Sequence, residues 1–333
     1  MKRGRVQLIE FESEVLRGNA AGDPHVRRIP VWTPPSYETD SQRRYPVVYV
    51  LTGFTGRGRM LLNDNAWSPS LDDRLDGLVA SGRCGEMIVV MPDCMTRFGG
   101  SQYLNSAATG RYADHLVDEL VPWIDAHFRT RPGRDARGVA GKSSGGFGAI
   151  TLGMKRADVF GAVACHSGDM YFEFCYGPDL PKTCSVLQEA GGARAFLEKF
   201  EAKPQKGKDD FLALNMLAMA ACYSPDEREE LGTAFPVNLE TSEFRDDVWQ
   251  RWMEHDPLRL LAAHAGALRS LRLLYLDCGT KDEFHLHHGA RRFARELSKL
   301  GIAHHYEEFD DGHMNVPYRY DTSLPMLARA LGA

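Results

Sequence analysis

The run Gly141-Lys142-Ser143-Ser144-Gly145-Gly146 puts a serine between glycines two positions before and two positions after it, the G-x-S-x-G spacing of a nucleophile elbow. In such an elbow the serine sits on a sharp strand-to-helix turn in strained backbone, and small neighbours let the chain pass. The helix that follows aims its free N–H groups and its dipole at the site, which favours negative charge there. The bare pattern also arises as a plain glycine-rich turn, but here Arg137–Gly141 reads as a strand and Gly145–Arg156 as a helix. Gly-Lys-Ser hints at a phosphate-binding loop, yet no glycine stands upstream of Lys142 where that loop requires one.

A serine hydroxyl is a weak nucleophile until a base takes its proton. An elbow of this kind is followed in the chain first by an acid and then by a histidine. Asp310-Asp311-Gly312-His313 follows the last predicted strand, which makes His313 the candidate base. Other histidines, including His115, His127 and His264, fall on predicted helices and are expected at the surface. The acid must hold the imidazole tautomer and stabilise imidazolium. Asp282, in the loop after strand Leu271–Asp277, is the first choice; Asp277 is its rival and Glu283 a weaker one, and Asp282 could instead only cap the following helix. An oxyanion hole needs two backbone donors. Ser144 supplies one and Phe54, in Thr52-Gly53-Phe54-Thr55-Gly56, the other, with Gly53 letting the backbone come close. Asp169, Met170, Tyr171 and Phe172 follow a strand that should open at the same edge, so together with Gly53 they are candidate substrate contacts; packing under an insertion is the alternative for the aromatics. His285, His287 and His288 cluster at a helix start, but exposed helix positions account for them better than a metal, and no metal site or cofactor is expected.

The elements that must position these residues alternate between strand and helix, which implies a mostly parallel sheet covered on both faces. Val6–Glu12 and His25–Thr33 read as edge strands. Val47–Leu51 and Met87–Met91 are continuous apolar runs expected of buried parallel strands. Tyr112, Leu116, Leu120, Ile124 and Phe128 share one helix face, and Pro122 should kink that helix or restart it. Phe160–Cys165, Leu271–Asp277 and His304–Phe309 continue the sheet, with helices over Glu283–Leu300 and Ser323–Leu331. The rhythm breaks between residues 168 and 268, where Ala193–Phe200, Phe211–Cys222 and Phe244–Glu254 read as helices without an evident strand. Residues 1–333 are therefore expected to form a single domain, with 168–268 as a helical cap inserted in it. Trp249, Trp252 and Met253 on the last of those helices read as a core stripe.

Composition excludes some classes. The 333 residues are 43% hydrophobic and 26% charged, with a net charge of −5, which argues against a nucleic-acid surface. The seven cysteines show no CxxC spacing; Cys94, Cys165 and Cys278 read as buried thiols, while Cys175 and Cys184 share a loop-like stretch and could pair. The N-terminus lacks the apolar core of a secretory signal and no stretch is long enough to span a membrane, so a cytoplasmic location is the expectation. A homo-oligomer is compatible with the sequence.

Tyr45-Pro46-Val47-Val48-Tyr49-Val50-Leu51-Thr52-Gly53-Phe54, Glu119-Leu120-Val121-Pro122-Trp123-Ile124-Asp125 and Gly141-Lys142-Ser143-Ser144-Gly145-Gly146-Phe147-Gly148-Ala149 resemble segments of the putative-esterase (esterase D-like) family, as do Gly279–Phe284 and Gly312-His313. That family includes S-formylglutathione hydrolases, feruloyl esterases, enterochelin esterases and mycolyltransferases. The resemblance covers nearly everything outside the cap. It implies the α/β-hydrolase fold, a Ser143–Asp282–His313 triad and hydrolysis of a small-molecule carboxylic ester through an acyl-enzyme. Two positions depart from the family pattern: Thr52 stands where His is usual, and Ser144 where Met or Leu is frequent. Both expected oxyanion donors are backbone groups, so the hole should survive and the pocket walls should differ. Acyl transfer to another acceptor with the same triad, and a catalytically silent binding protein, are the alternatives.

Overall fold

The computed structural model describes residues 3–333. Eight strands form one sheet: β1 (Arg5–Glu12), β2 (Val26–Thr33), β3 (Val47–Leu51), β4 (Ile88–Val90), β5 (Arg137–Lys142), β6 (Ala162–His166), β7 (Leu273–Gly279) and β8 (His305–Phe309), in the spatial order β1-β2-β4-β3-β5-β6-β7-β8. β1 pairs antiparallel with β2, and β2 antiparallel with β4; every later pairing is parallel. The order matches a sheet wound outward in both directions from β3, with helical crossovers, and its carboxyl edge is where such sheets place their sites.

The apolar runs are continuous because both faces are covered. Along β3, Val47, Tyr49 and Leu51 enter a core with Leu116, Leu120, Ile124 and Phe293. Val48 and Val50 point the other way and pack with Leu75 and Leu78 of helix Leu71–Ala80 and with Leu324 and Leu327 of helix Tyr320–Ala330. A third cluster belongs to the segment between β6 and β7, whose longer helices are Leu180–Ala190, Ala193–Ala202, Lys208–Tyr223 and Asp246–Met253. Trp252 and Met253 are buried there and Trp249 packs against them, as the stripe spacing predicts.

The expected break at Pro122 takes a specific form. The helix runs as α over Tyr112–Asp114, as π over His115–Leu120 and as α again over Val121–His127. Pro122 has no N–H and crowds the carbonyl four residues back. The wider turn absorbs that: Val121 donates to the Leu116 carbonyl, five residues back. Two expectations fail in this region and the next. His115 is fully buried rather than at the surface, packed between Phe11 and Tyr112, with neither ring nitrogen hydrogen-bonded. Burial, helped by the Arg27 charge, pulls its pKa down to about 3. Cys175 and Cys184 lie on helices Phe172–Cys175 and Leu180–Ala190 rather than in a loop, and both are free thiols. Among the described residues no helix is long and apolar enough to cross a membrane.

Candidate active site

Ser143 stands between β5 and helix Ser144–Lys155 with φ 59° and ψ −125°, a conformation that costs a non-glycine residue on the order of 1–3 kcal/mol. The surroundings hold it there. Its N–H donates to the His166 carbonyl at 2.9 Å, and its carbonyl accepts from Phe147 at 2.9 Å. The flanking glycines are there for lack of space: a Cβ on Gly141 would lie 2.2 Å from the Gly145 carbonyl oxygen, and one on Gly145 2.3 Å from that of Leu51. The elbow therefore closes only with glycine at both positions.

The loops after β7 and β8 are zipped together. Thr280 N–H donates to the Phe309 carbonyl at 2.9 Å and Lys281 N–H to that of Asp311 at 3.0 Å. This brings His313 to Asp282, with Nδ1 2.8 Å from Oδ2 and both residues 3% exposed. Asp282 Oδ1 accepts from the N–H groups of Phe284, at 3.0 Å, and Leu286, at 3.4 Å. Burial pushes the Asp282 pKa up, but the His313 hydrogen bond and charge and those two N–H groups outweigh it, and the carboxyl ends below its ordinary value. The capping role weighed for Asp282 is thus met by one oxygen while the other meets the imidazole.

The rival acids have other partners. Asp277 accepts from His166 Nδ1 at 2.7 Å, from the Tyr275 hydroxyl at 2.8 Å and from Arg319 Nε at 2.8 Å. His166 and Asp277 are directly paired across β6 and β7. The His166 Nε2 lies 2.8 Å from Ser323 Oγ, so a second Ser–His–Asp chain runs through the buried interior. Glu283 accepts from the backbone N–H of His313 at 2.6 Å, so it fixes the loop rather than the ring. Phe284 sets its ring edge-on to His313 at 4.8 Å.

Ser143, His313, Phe54, Ser144 and Gly53 line one cavity of about 570 Å³. Among the described residues the N–H groups of Phe54 and Ser144 have no acceptor. Ser144 is the first helical residue, so no intrahelical partner exists for it. Ser143 Oγ likewise makes no hydrogen bond among the described residues and faces the cavity; catalytic hydrogen bonds commonly tighten only when substrate is bound. Phe211, Leu212, Tyr176, Phe284, Leu286 and Met314 give the cavity apolar walls, several of them from the helical insertion.

Of the other expected contacts, Asp169 lines this cavity, accepting from Gln102 Nε2 at 3.0 Å and from the Tyr176 hydroxyl at 2.9 Å. Burial raises its pKa. Met170, Tyr171 and Phe172 do not line it. The Asp256 carboxylate takes the N–H groups of Tyr171 and Phe172, at 3.0 and 3.1 Å, and turns the chain away. Met170 then packs on Gly289, Phe172 packs against Tyr176 and Tyr223, and Tyr171 lies beneath Arg292. Sequence reasoning missed Lys142 as a cavity residue, although it sits inside the motif, and missed Gln102 and Tyr176, for which no local pattern exists. Burial lowers the Lys142 pKa, opposed by the charges of Asp282, Glu283 and Asp169. Among the described residues no group of three or more metal-binding side chains is present, the histidines at 285–288 included.

A family model described as "Putative esterase" matches residues 24–325. The chain is 31% identical over 135 residues to an endo-1,4-beta-xylanase/feruloyl esterase of Xylanibacter ruminicola, covering 39% of this chain and 17% of that protein. It is 34% identical over 139 residues to esterase Rv1288 of Mycobacterium tuberculosis, covering 41% of this chain and 28% of that protein. The chain thus matches well under a third of the length of these two relatives. A ferulic acid esterase structure superposes with a TM-score of 0.62 at 22% identity, covering 99% of this chain and all of that one. An S-formylglutathione hydrolase from Agrobacterium tumefaciens superposes with a TM-score of 0.59 at 17% identity, covering 100% and 97%. These likenesses establish the α/β-hydrolase fold.

Proposed function

The chain belongs to the "Putative esterase" family, and on that premise we propose that it is a serine esterase cleaving carboxylic esters through an acyl-enzyme on Ser143. The observation that carries the reading is the convergence of Ser143, an Asp282-tethered His313 and two unpartnered backbone donors on one cavity. Ser143 Oγ attacks the ester carbonyl carbon as its proton passes to His313 Nε2. The N–H groups of Phe54 and Ser144 bind the oxyanion as it forms. Asp282 stabilises the imidazolium, which then protonates the departing alcohol. A water activated by the same histidine releases the acid and restores the serine. Each donor of the hole is worth about 10²–10³ in rate.

The apolar walls of Phe54, Phe211, Phe284 and Tyr176 support an ester with a flat, apolar group; an aromatic acid ester, as in the names of the relatives, is the first candidate. We read residues 168–268 as a cap within a single 1–333 domain, because Tyr176, Phe211 and Leu212 give it a share of the cavity wall. A cytoplasmic location fits the seven unpaired cysteines.

The test is a panel of p-nitrophenyl esters differing in acyl length and aromaticity, with a fluorophosphonate label located by mass spectrometry. The label should fall on Ser143, and S143A should lose on the order of 10⁴–10⁶ in kcat. Turnover kept by folded S143A would refute the assignment.

A further inference from the structure

A second cavity, of about 620 Å³, opens at the carboxyl ends of β3 and β4. Arg27, Arg28, Arg57, Arg59 and Arg97 line it, facing only three carboxylates, on a protein whose net charge is −5. The carboxylates do not neutralise it evenly. Glu201 pairs with Arg97 at 2.7 Å, and Arg28 is engaged by Glu10 at 3.2 Å. Arg27 is 4% exposed and already engaged: it donates to the Met95 carbonyl at 2.8 Å and the Tyr112 hydroxyl at 2.5 Å, Asp93 stands 3.8 Å away, and only its buried Nε lacks an acceptor. Arg57 and Arg59 have no carboxylate within ion-pair distance among the described residues. Asp23 is the third carboxylate of the lining, and the charges of Arg27, Arg97 and Arg57 work against the rise that burial gives its pKa.

The backbone that carries the two unpaired arginines is closely packed. They flank Gly58, whose added Cβ would fall 1.9 Å from the Met91 carbonyl oxygen, so the loop is pressed on the strand end. The same loop is tied at Thr55, whose N–H donates to the Gly99 carbonyl at 2.7 Å. Gly53, Phe54 and Thr55 line the catalytic cavity while Arg57, Arg59 and Met60 line this one, so a single loop walls both.

We propose that this second cavity binds a doubly charged oxyanion, a phosphate or sulfate group, held by the forks of Arg57 and Arg59, with the buried positive charge of Arg27 behind them. Guanidinium forks match tetrahedral oxyanions with paired, charge-assisted hydrogen bonds. More than one uncompensated guanidinium faces the space, which favours a dianion over a single carboxylate. The group reaches the cavity either as the free ion or carried on an ester substrate.

The experiment titrates inorganic phosphate and sulfate into the full-length protein by calorimetry, with chloride at matched ionic strength as the control. Saturable binding is expected, with Kd raised roughly tenfold or more in R57Q/R59Q, both surface positions. S143A should bind phosphate as the wild type does, which keeps this inference separable from the esterase reading. A second arm compares hydrolysis of the monoacetyl ester of glycerol with that of the monoacetyl ester of glycerol phosphate, which differ only in the phosphate group. Competition by phosphate against the phosphorylated ester alone assigns the site to substrate; binding without that competition assigns it to the free ion. Absence of binding beyond the chloride control, or an unchanged Kd in R57Q/R59Q, would overturn the proposal.

Discussion

Replacing Asp282 with Asn keeps the shape of the site but exchanges a carboxylate oxygen for an NH₂ and removes its charge. Oδ1 of Asp282 is held by the N–H groups of Phe284 and Leu286, so the amide of the variant turns its NH₂ toward His313. His313 Nδ1 must then accept, which puts the ring proton on Nε2, where it cannot receive one from Ser143. The variant also loses the charge that steadies imidazolium. With charge centres roughly 4 Å apart at an effective dielectric near 20, that attraction is about 4 kcal/mol. Adding the wrong tautomer brings the expected loss to about 10⁴ in kcat, or ~5.5 kcal/mol. The assay is p-nitrophenyl acetate turnover, alongside fluorophosphonate labelling and thermal unfolding. Because the folded Asp282 pKa is lowered, its stabilisation is complete above the unfolded value of about 3.9 and is lost as pH falls through the lower folded value. The variant should lack that part of the acid-induced loss. A folded D282N within tenfold of wild-type turnover would refute the reasoning, as would D277N if it lost as much activity without losing stability.

Asp277→Asn removes a buried charge held by His166 and Arg319, and should cost about 3–5 kcal/mol in chemical denaturation. Gly145→Ala drives a Cβ to 2.3 Å from the Leu51 carbonyl oxygen; loss of soluble folded protein, scored by circular dichroism, is expected. His115→Phe removes two buried, unpaired ring nitrogens, for a gain of about 1–3 kcal/mol at neutral pH. The wild-type His115 pKa is down to about 3, so above ~6.5 protonation adds no further cost, and below that the unfolded chain takes up a proton that the fold excludes; the advantage of H115F in urea unfolding should widen as pH drops. All seven cysteines are buried, so native protein should take up little iodoacetamide by mass spectrometry and keep its activity.

What could be read from the chain was the chemistry that depends on local pattern. The elbow was legible because glycines at two fixed offsets answer a steric demand of one turn. Asp282 and His313 were legible because both follow strands that end at the same edge. The role of Asp277 was not: it depends on the register that sets His166 beside it, and register is a property of two strands, not one. The fate of Met170, Tyr171 and Phe172 turned on Asp256, some eighty positions away in sequence. His115 looked like a surface residue on helical periodicity, but the π-turn before Pro122 accompanies its burial.

The Ser323–His166–Asp277 chain has hydrogen bonds of 2.8 and 2.7 Å at its two links, yet all three of its residues are buried. A proton relay is therefore insufficient for reactivity: buried with no opening for a substrate carbonyl, the same three side chains serve as a rivet joining two strands to the final helix. The buried set repeats the residue types of the proposed Ser143–Asp282–His313 site, so a reagent that captures activated serines should label Ser143 and leave Ser323 untouched.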